Sequence, residues 1–296
     1  MDYLGKGARS TIWKVRERDR NRYYAVKRVT KQPGDDDRYF DQAINEFEIA
    51  RQFDHPNIRK YYRLRRVRRW FQLHELHLFM ELCEGVSCQA RRPEDVGRAA
   101  AIFLDVARAL THIHARGCVH ADIKPNNLIV APDGTVKIID FGQSCRIGAV
   151  KERIQGTPDF IAPEQVHRRP LDARTDVFNL GAALYWTLTG QAIPTILPKD
   201  SAAVQLVSDL NVSPPEALNP QVPAALNRLV LDCIEFNPSR RPQAMQEVVA
   251  RLDLICHKLT NGSPAPPPAE EDEDIERELE DFFQARGGDL PEGTWE

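Results

Sequence analysis

The chain has 296 residues, 42% of them hydrophobic and 28% charged, with a formal net charge of −3. That size and balance suit one large domain or two modest lobes of a globular protein, and exclude a disulfide-stapled miniprotein and wholesale disorder. No apolar run approaches the ~20 residues of a membrane span, the opening MDYLGKGARS lacks a signal-peptide pattern, and six scattered cysteines without CxxC or zinc spacing fit reduced thiols, so a cytoplasmic location with no membrane partner is expected.

In chain order, Tyr3-Leu4 leads into a glycine loop, and the runs Ile12–Val15 and Tyr23–Val29 are rich in β-branched and aromatic residues either side of a polar turn, which predicts a hairpin. Between Asp37 and Phe53, Phe40, Ala43, Ile44, Phe47 and Ala50 recur at three- and four-residue steps, predicting a helix that His55-Pro56-Asn57 stops. Two more strands are expected at Tyr61–Val67 and Leu76–Leu82, before Glu84-Gly85. Helices then dominate. A long apolar stripe predicts one over Glu94–Arg116, ended by Gly117, and others are expected around Asp176–Thr189, Ala224–Glu235 and Ala244–Leu259. Short strands flank the Pro-Asp-Gly turn at 132–134. Residues 261–274, with PAPPP and an acid run, have linker composition, and Ile275–Arg286 has the pattern of a short amphipathic helix.

Charge is distributed unevenly. Residues 1–80 hold 19 Lys and Arg against 11 Asp and Glu, whereas residues 270–296 hold 2 against 12. The run Arg63–Trp70 could bind nucleic acid through clustered arginines, but its alternation reads better as a strand with one solvated basic face, so nucleic acid is not an expected partner. The acidic tail either solubilises the chain or docks on the basic front with Phe282, Phe283 or Trp295 as anchors. His74-Glu75-Leu76-His77 has its histidines three apart, where a zinc-protease motif needs four.

Four short segments carry chemistry together. Gly5-Lys6-Gly7-Ala8-Arg9-Ser10 would let backbone N–H groups approach phosphate oxygens, although alone it reads equally well as a hairpin turn. Lys27 lies on a strand with Glu46 on the following helix; partnered it can hold phosphates, unpartnered it is an ordinary surface lysine. In His120-Ala121-Asp122-Ile123-Lys124-Pro125-Asn126-Asn127, a carboxylate, a lysine two residues on and an amide five residues on offer a base for a hydroxyl, a cation for a γ-phosphate and an oxygen ligand for Mg²⁺. Asp140-Phe141-Gly142 supplies a second hard ligand.

The ordered set resembles the protein kinases of the eukaryotic-like (Hanks-type) superfamily from about Tyr3 to Leu259. Gly156–Glu164 is similar to the end of an activation segment, Asp176–Gly181 to the family's central buried helix, and Arg241 to the usual ion partner of Glu164. The resemblance implies an α+β, two-lobed fold: a small antiparallel-sheet lobe with one helix over 1–84, a larger helical lobe over 85–260, then the linker 261–274 and the acidic tail 275–296. It implies phosphoryl transfer from ATP with Mg²⁺ to serine or threonine hydroxyls of protein substrates. By position, Gly5, Gly7 and Ser10 would cover the phosphates, and Lys27 would hold the α- and β-phosphates while paired with Glu46. Ile12 and Ala25 would sandwich the adenine, with Met80 at the back of its pocket and Glu81 and Cys83 offering hinge backbone groups. Asn127 and Asp140 would coordinate Mg²⁺, Asp122 would take or orient the substrate proton, and Lys124 would steady the γ-phosphate.

Three departures from the family pattern stand out. Only four residues precede Gly5, so a short first strand is expected; Ser10 replaces the third loop glycine, which is tolerated if φ there is negative. Ala121 stands where regulated members carry the arginine that binds a phosphate on the activation segment. Between Asp140 and Glu164 only Ser144 and Thr157 are serine or threonine acceptors. Activity independent of segment phosphorylation is therefore expected. The alternative is a pseudokinase, a scaffold or nucleotide-sensing module, against which the retention of Lys27, Glu46, Asp122, Asn127 and Asp140 argues.

Overall fold

A computed structural model describes residues 2–7, 9–17, 21–31, 37–194 and 212–261. The expected amphipathic helix at Ile275–Arg286 and nearly all of the linker lie outside the described residues.

The first five strands are β1 (Asp2–Lys6), β2 (Ser10–Glu17), β3 (Arg22–Thr30), β4 (Tyr61–Arg69) and β5 (Gln72–Glu81), and they form one antiparallel sheet in the order β1-β2-β3-β5-β4. Side chains alternate between its two faces. Val29, Leu76, Leu78 and Met80 point to a buried inner face, covered by α1 (Arg38–Ala50) through Phe40, Ala43, Phe47 and Ala50. β4 is an edge strand, and its arginines discourage edge-to-edge pairing. It runs two residues past the expected end, with a bulge between Val67 and Arg68, because the hairpin tip at Trp70 takes φ +56°.

β6 (Val86–Ser87) opens the larger lobe. Asp95 then caps α2 (Val96–His114) by accepting from the Arg98 N–H at 2.7 Å, which starts the helix two residues later than its apolar stripe alone indicates. Gly117, at φ +68°, reverses the chain into β7 (Cys118–Val119). β8 (Leu128–Val130) and β9 (Val136–Ile138) form a small sheet with β6, and β10 (Cys145–Arg146) pairs with β7. After the short α3 (Pro163–Val166), Asp172 caps α4 (Ala173–Thr189), which begins three residues earlier than expected. Val177, Phe178, Leu180 and Leu184 are buried around α4, the pattern of a helix central to a core. The fold closes with α5 (Pro215–Leu218), α6 (Ala224–Cys233) and α7 (Met245–Thr260), the last packed on α2. One apolar core runs through both lobes. Among the described residues no helix is long and apolar enough to cross a membrane.

Candidate active site

The loop after β7 is held from beneath by a fully buried carboxylate. Asp176 accepts the Ala121 N–H at 2.7 Å on one oxygen, and the His120 N–H and His114 Nε2, both at 2.8 Å, on the other. Burial opposes the charge on Asp176, but these hydrogen bonds and the neighbouring histidines outweigh it and hold the carboxyl below its ordinary range. Ala121 takes φ +61°, a conformation non-glycine residues seldom adopt, and its carbonyl accepts Gln165 Nε2 at 2.8 Å.

Asp122 comes next and is almost completely partnered. Lys124 Nζ donates to its Oδ2 at 2.7 Å and to Thr157 Oγ1 at 2.7 Å, while the Thr157 hydroxyl donates to Asp122 Oδ1 at 3.1 Å. Asn127 Nδ2 donates to the Asp122 carbonyl at 2.8 Å and to Oδ2 at 3.2 Å. Both amide protons of Asn127 therefore face Asp122, and its Oδ1 has no hydrogen-bond partner among the described residues, so it remains available as an oxygen ligand.

Across the cleft, Lys27 Nζ lies 2.7 Å from Glu46 Oε2 and 3.7 Å from Asp140 Oδ1. Burial works against the Lys27 charge, yet Glu46 and Asp140 more than offset it and the ammonium is held above its ordinary value. Burial pushes Glu46 up, with Lys27 and Tyr61 pulling it back. For Asp140 the desolvation imposed by the cleft walls is again outweighed, chiefly by Lys27 and the Gly142 N–H, so its carboxyl is held down. The Asp140 side chain is 47% exposed and opens to the cleft.

Three contacts on this side are not foreshadowed by the motifs. The Tyr61 hydroxyl donates to Glu46 Oε1 at 2.8 Å, so both oxygens of that buried carboxylate are partnered. Gln42 Nε2 donates to the Gly142 carbonyl at 3.0 Å and Asn45 Nδ2 to the Ser144 carbonyl at 3.1 Å, tying α1 to the segment after Asp140. The signal for Gln42, Asn45 and Glu46 was their i, i+3, i+4 spacing on one helix face. Tyr61 gave none, since an aromatic at a strand start is ordinary. Phe141 closes the base of the site against His120, Phe53 and Tyr61, with ring centroids 4.9, 5.6 and 6.0 Å away.

A pocket of about 210 Å³ gathers Gly7, Ser10, Lys27, Glu46, Asp122 and Asp140. Ser10 has no positive φ, so the missing third glycine imposes no backbone strain there. The Gly7 N–H donates to the Ser10 carbonyl at 2.8 Å, and a Cβ on Gly7 would fall 2.7 Å from Ser10 Oγ. Gly5 and Ile12 pair across β1 and β2, Ile12 pairs with Lys27, and Ala25 pairs with Met80 across β3 and β5; of these five, only Lys27 lines that pocket. Glu81 bonds Lys137 through its side chain and the Lys60 carbonyl through its N–H, whereas the Cys83 N–H has no acceptor among the described residues. The Cys83 thiol accepts from the buried Arg59 at 3.4 Å.

The segment from Asp140 to Glu164 is anchored at both ends. Ser144 is fully buried and its hydroxyl donates to the His120 carbonyl at 3.2 Å. Arg241 grips Glu164 with two parallel bonds of 2.8 and 3.0 Å, stacks 4.8 Å over Phe178, and Thr175 adds a third bond at 2.9 Å.

A two-lobed fold with this cleft defines the protein kinase class. The chain belongs to the protein kinase family, whose protein kinase domain profile matches residues 1–251. It is similar to a probable serine/threonine-protein kinase of Clostridium acetobutylicum, 27% identical over 87% of this chain and 40% of the relative. It is likewise similar to sperm motility kinase 2B of Mus musculus, at 30% identity over 92% of this chain and 54% of that protein. To the serine/threonine-protein kinase PknB of Mycobacterium tuberculosis it is 29% identical over 90% of this chain and 43% of PknB. The chain thus spans about half the length, or less, of these relatives.

Proposed function

We propose that this chain transfers the γ-phosphate of ATP, with Mg²⁺, to serine or threonine hydroxyls of proteins, and does so without phosphorylation of its own activation segment. The observation that carries this reading is that Asp122, held by Lys124 and Thr157, shares one pocket with the Lys27–Glu46 pair and Asp140. The names of the similar proteins support serine/threonine specificity.

The donor set suits the metal. The free Asn127 Oδ1 and the ionised, cleft-facing Asp140 carboxylate are hard oxygen ligands of the kind Mg²⁺ takes, and these two would hold it. When bound, Mg²⁺ neutralises charge on the phosphate oxygens. The remaining roles belong to the chain itself. Lys27, fixed by Glu46, binds α- and β-phosphate oxygens; the Gly5–Ser10 loop covers them; Ile12, Ala25 and Met80 enclose the adenine, whose edge meets the Glu81 and Cys83 backbone. Asp122 orients the substrate hydroxyl and accepts its proton, while Lys124 steadies the γ-phosphoryl oxygens.

Independence from phosphorylation is supported by what holds the site together. Ala121 has no cation for a segment phosphate, Ser144 is buried, and Thr157 is bonded to Lys124 and Asp122. Gln42, Asn45 and Tyr61 already fix α1. The test is transfer of radiolabel from γ-labelled ATP, with and without Mg²⁺, to a generic basic protein, followed by phosphoamino-acid analysis. Phosphoserine or phosphothreonine that disappears in Asp122→Asn supports the reading. ATP binding with no transfer favours the pseudokinase alternative.

A further inference from the structure

The outer face of the five-stranded sheet, opposite α1, carries a groove the catalytic reading does not use. Its volume is about 930 Å³. The register lines up Trp13, Val26, Phe79 and Arg63 as one row across β2, β3, β5 and β4, with Val15 and Tyr24 beside it and Arg28, His77 and Arg65 in the next row. The floor is therefore aromatic and aliphatic, and the rim is basic.

Its two carboxylates are already engaged. Glu17 accepts the Tyr24 hydroxyl at 3.1 Å, and Glu75 accepts Arg28 Nε at 2.8 Å and bonds His77 at 2.8 Å. The Arg28 bond is the main cause that holds the Glu75 carboxyl down at about 2, so it stays charged and occupied. By contrast, Arg63 and Arg65 meet no carboxylate among the described residues and are exposed. The groove thus presents apolar surface under unpaired positive charge, which selects an acidic occupant with aromatic or aliphatic anchors.

One segment of this sequence has that composition. Residues 270–296 combine 12 acidic with 2 basic side chains, and carry Leu279, Phe282, Phe283 and Trp295 among the acids. The 35 residues after Asn261 reach up to about 115 Å at ~3.3 Å per residue, against a radius of gyration of about 18 Å for a domain of roughly 260 residues. Covalent attachment also makes the encounter intramolecular, at an effective concentration on the order of millimolar. We propose that the acidic segment 270–296 docks in the Trp13–Tyr24–Phe79 groove, its phenylalanines on the apolar floor and its carboxylates on Arg63 and Arg65. The other basic feature of this sheet, the hairpin tip, offers Trp70 and Phe71 at 96% and 95% exposure but no walls to enclose an anchor.

The test uses the full chain with p-benzoylphenylalanine in place of Phe282, and in a second preparation Phe283, irradiated and mapped by mass spectrometry. Intramolecular adducts on Trp13, Tyr24, Phe79 or Arg63 are expected. Their yield should fall about fivefold or more in 1 M salt, and similarly in Arg63→Glu/Arg65→Glu, while Arg68→Glu/Arg69→Glu leaves it within about twofold by virtue of distance from the groove. Adducts at the Trp70–Phe71 tip, at the catalytic cleft, between two copies of the chain, or nowhere would each overturn the proposal. None of these outcomes depends on phosphoryl transfer.

Discussion

At the scale of single residues, two carboxylates with different surroundings carry the argument. Asp122 sits in a fan of donors from Lys124, Asn127 and Thr157, whereas Glu46 is buried with one lysine and one tyrosine. Replacing Asp122 by Asn keeps the shape and removes the proposed base, so kcat should drop by about 10²–10⁴ with little change in KM for ATP. Tyr61→Phe leaves one oxygen of a buried carboxylate unpaired, a cost of about 1–3 kcal/mol. That cost should appear as a lower melting temperature together with a reduced kcat/KM. An unchanged value of both would show that Tyr61 is only packing material.

At the scale of elements, the link between α1 and the Asp140–Ser144 segment decides whether the site stands assembled. Removing both amides, Gln42→Ala with Asn45→Ala, should lower kcat/KM about tenfold, equivalent to ~1.4 kcal/mol, and steady-state kinetics at several ATP concentrations will read it. Much of this level was legible in the sequence. The apolar stripes of α1 and α2 and the β-branched runs of β2 and β3 carry their periods openly, and the spacing within residues 120–127 points to a base, a cation and an amide. What was hidden depends on tertiary placement. That Lys27 is partnered rather than a surface lysine requires α1 to lie against the inner face of the sheet, and the Tyr61–Glu46 bond requires β4 to begin beside that helix. The helix starts at Val96 and Ala173 were displaced by capping side chains, Asp95 and Asp172, which compete locally with the apolar pattern.

At the scale of the whole molecule, ion pairs and buried histidines set the response to pH and mutation. Arg241→Ala would strand Glu164 in the core, and the expected loss is about 3–5 kcal/mol in chemical denaturation. Burial depresses His55, His112, His120 and His167 below their ordinary 6.5. The unfolded chain therefore binds protons below pH 6.5 that the folded chain refuses, so this stability is complete above pH 6.5 and is lost as pH falls through the folded values. Glu46, raised by burial, acts in the opposite direction, one group against four. The melting temperature should fall between pH 7 and pH 5; a rise over that interval would contradict the assignment.

The central claim is a catalytic site assembled without a phosphate on its activation segment. The most direct measurement is the initial rate of phosphate transfer to a protein substrate by chain first stripped of phosphate and verified by mass. The rate should be linear from the first time point and independent of enzyme pre-incubation with ATP, in Ser144→Ala as in the unaltered chain. A lag that pre-incubation with ATP abolishes, or activity that phosphatase removes and Ser144→Ala fails to regain, would contradict it.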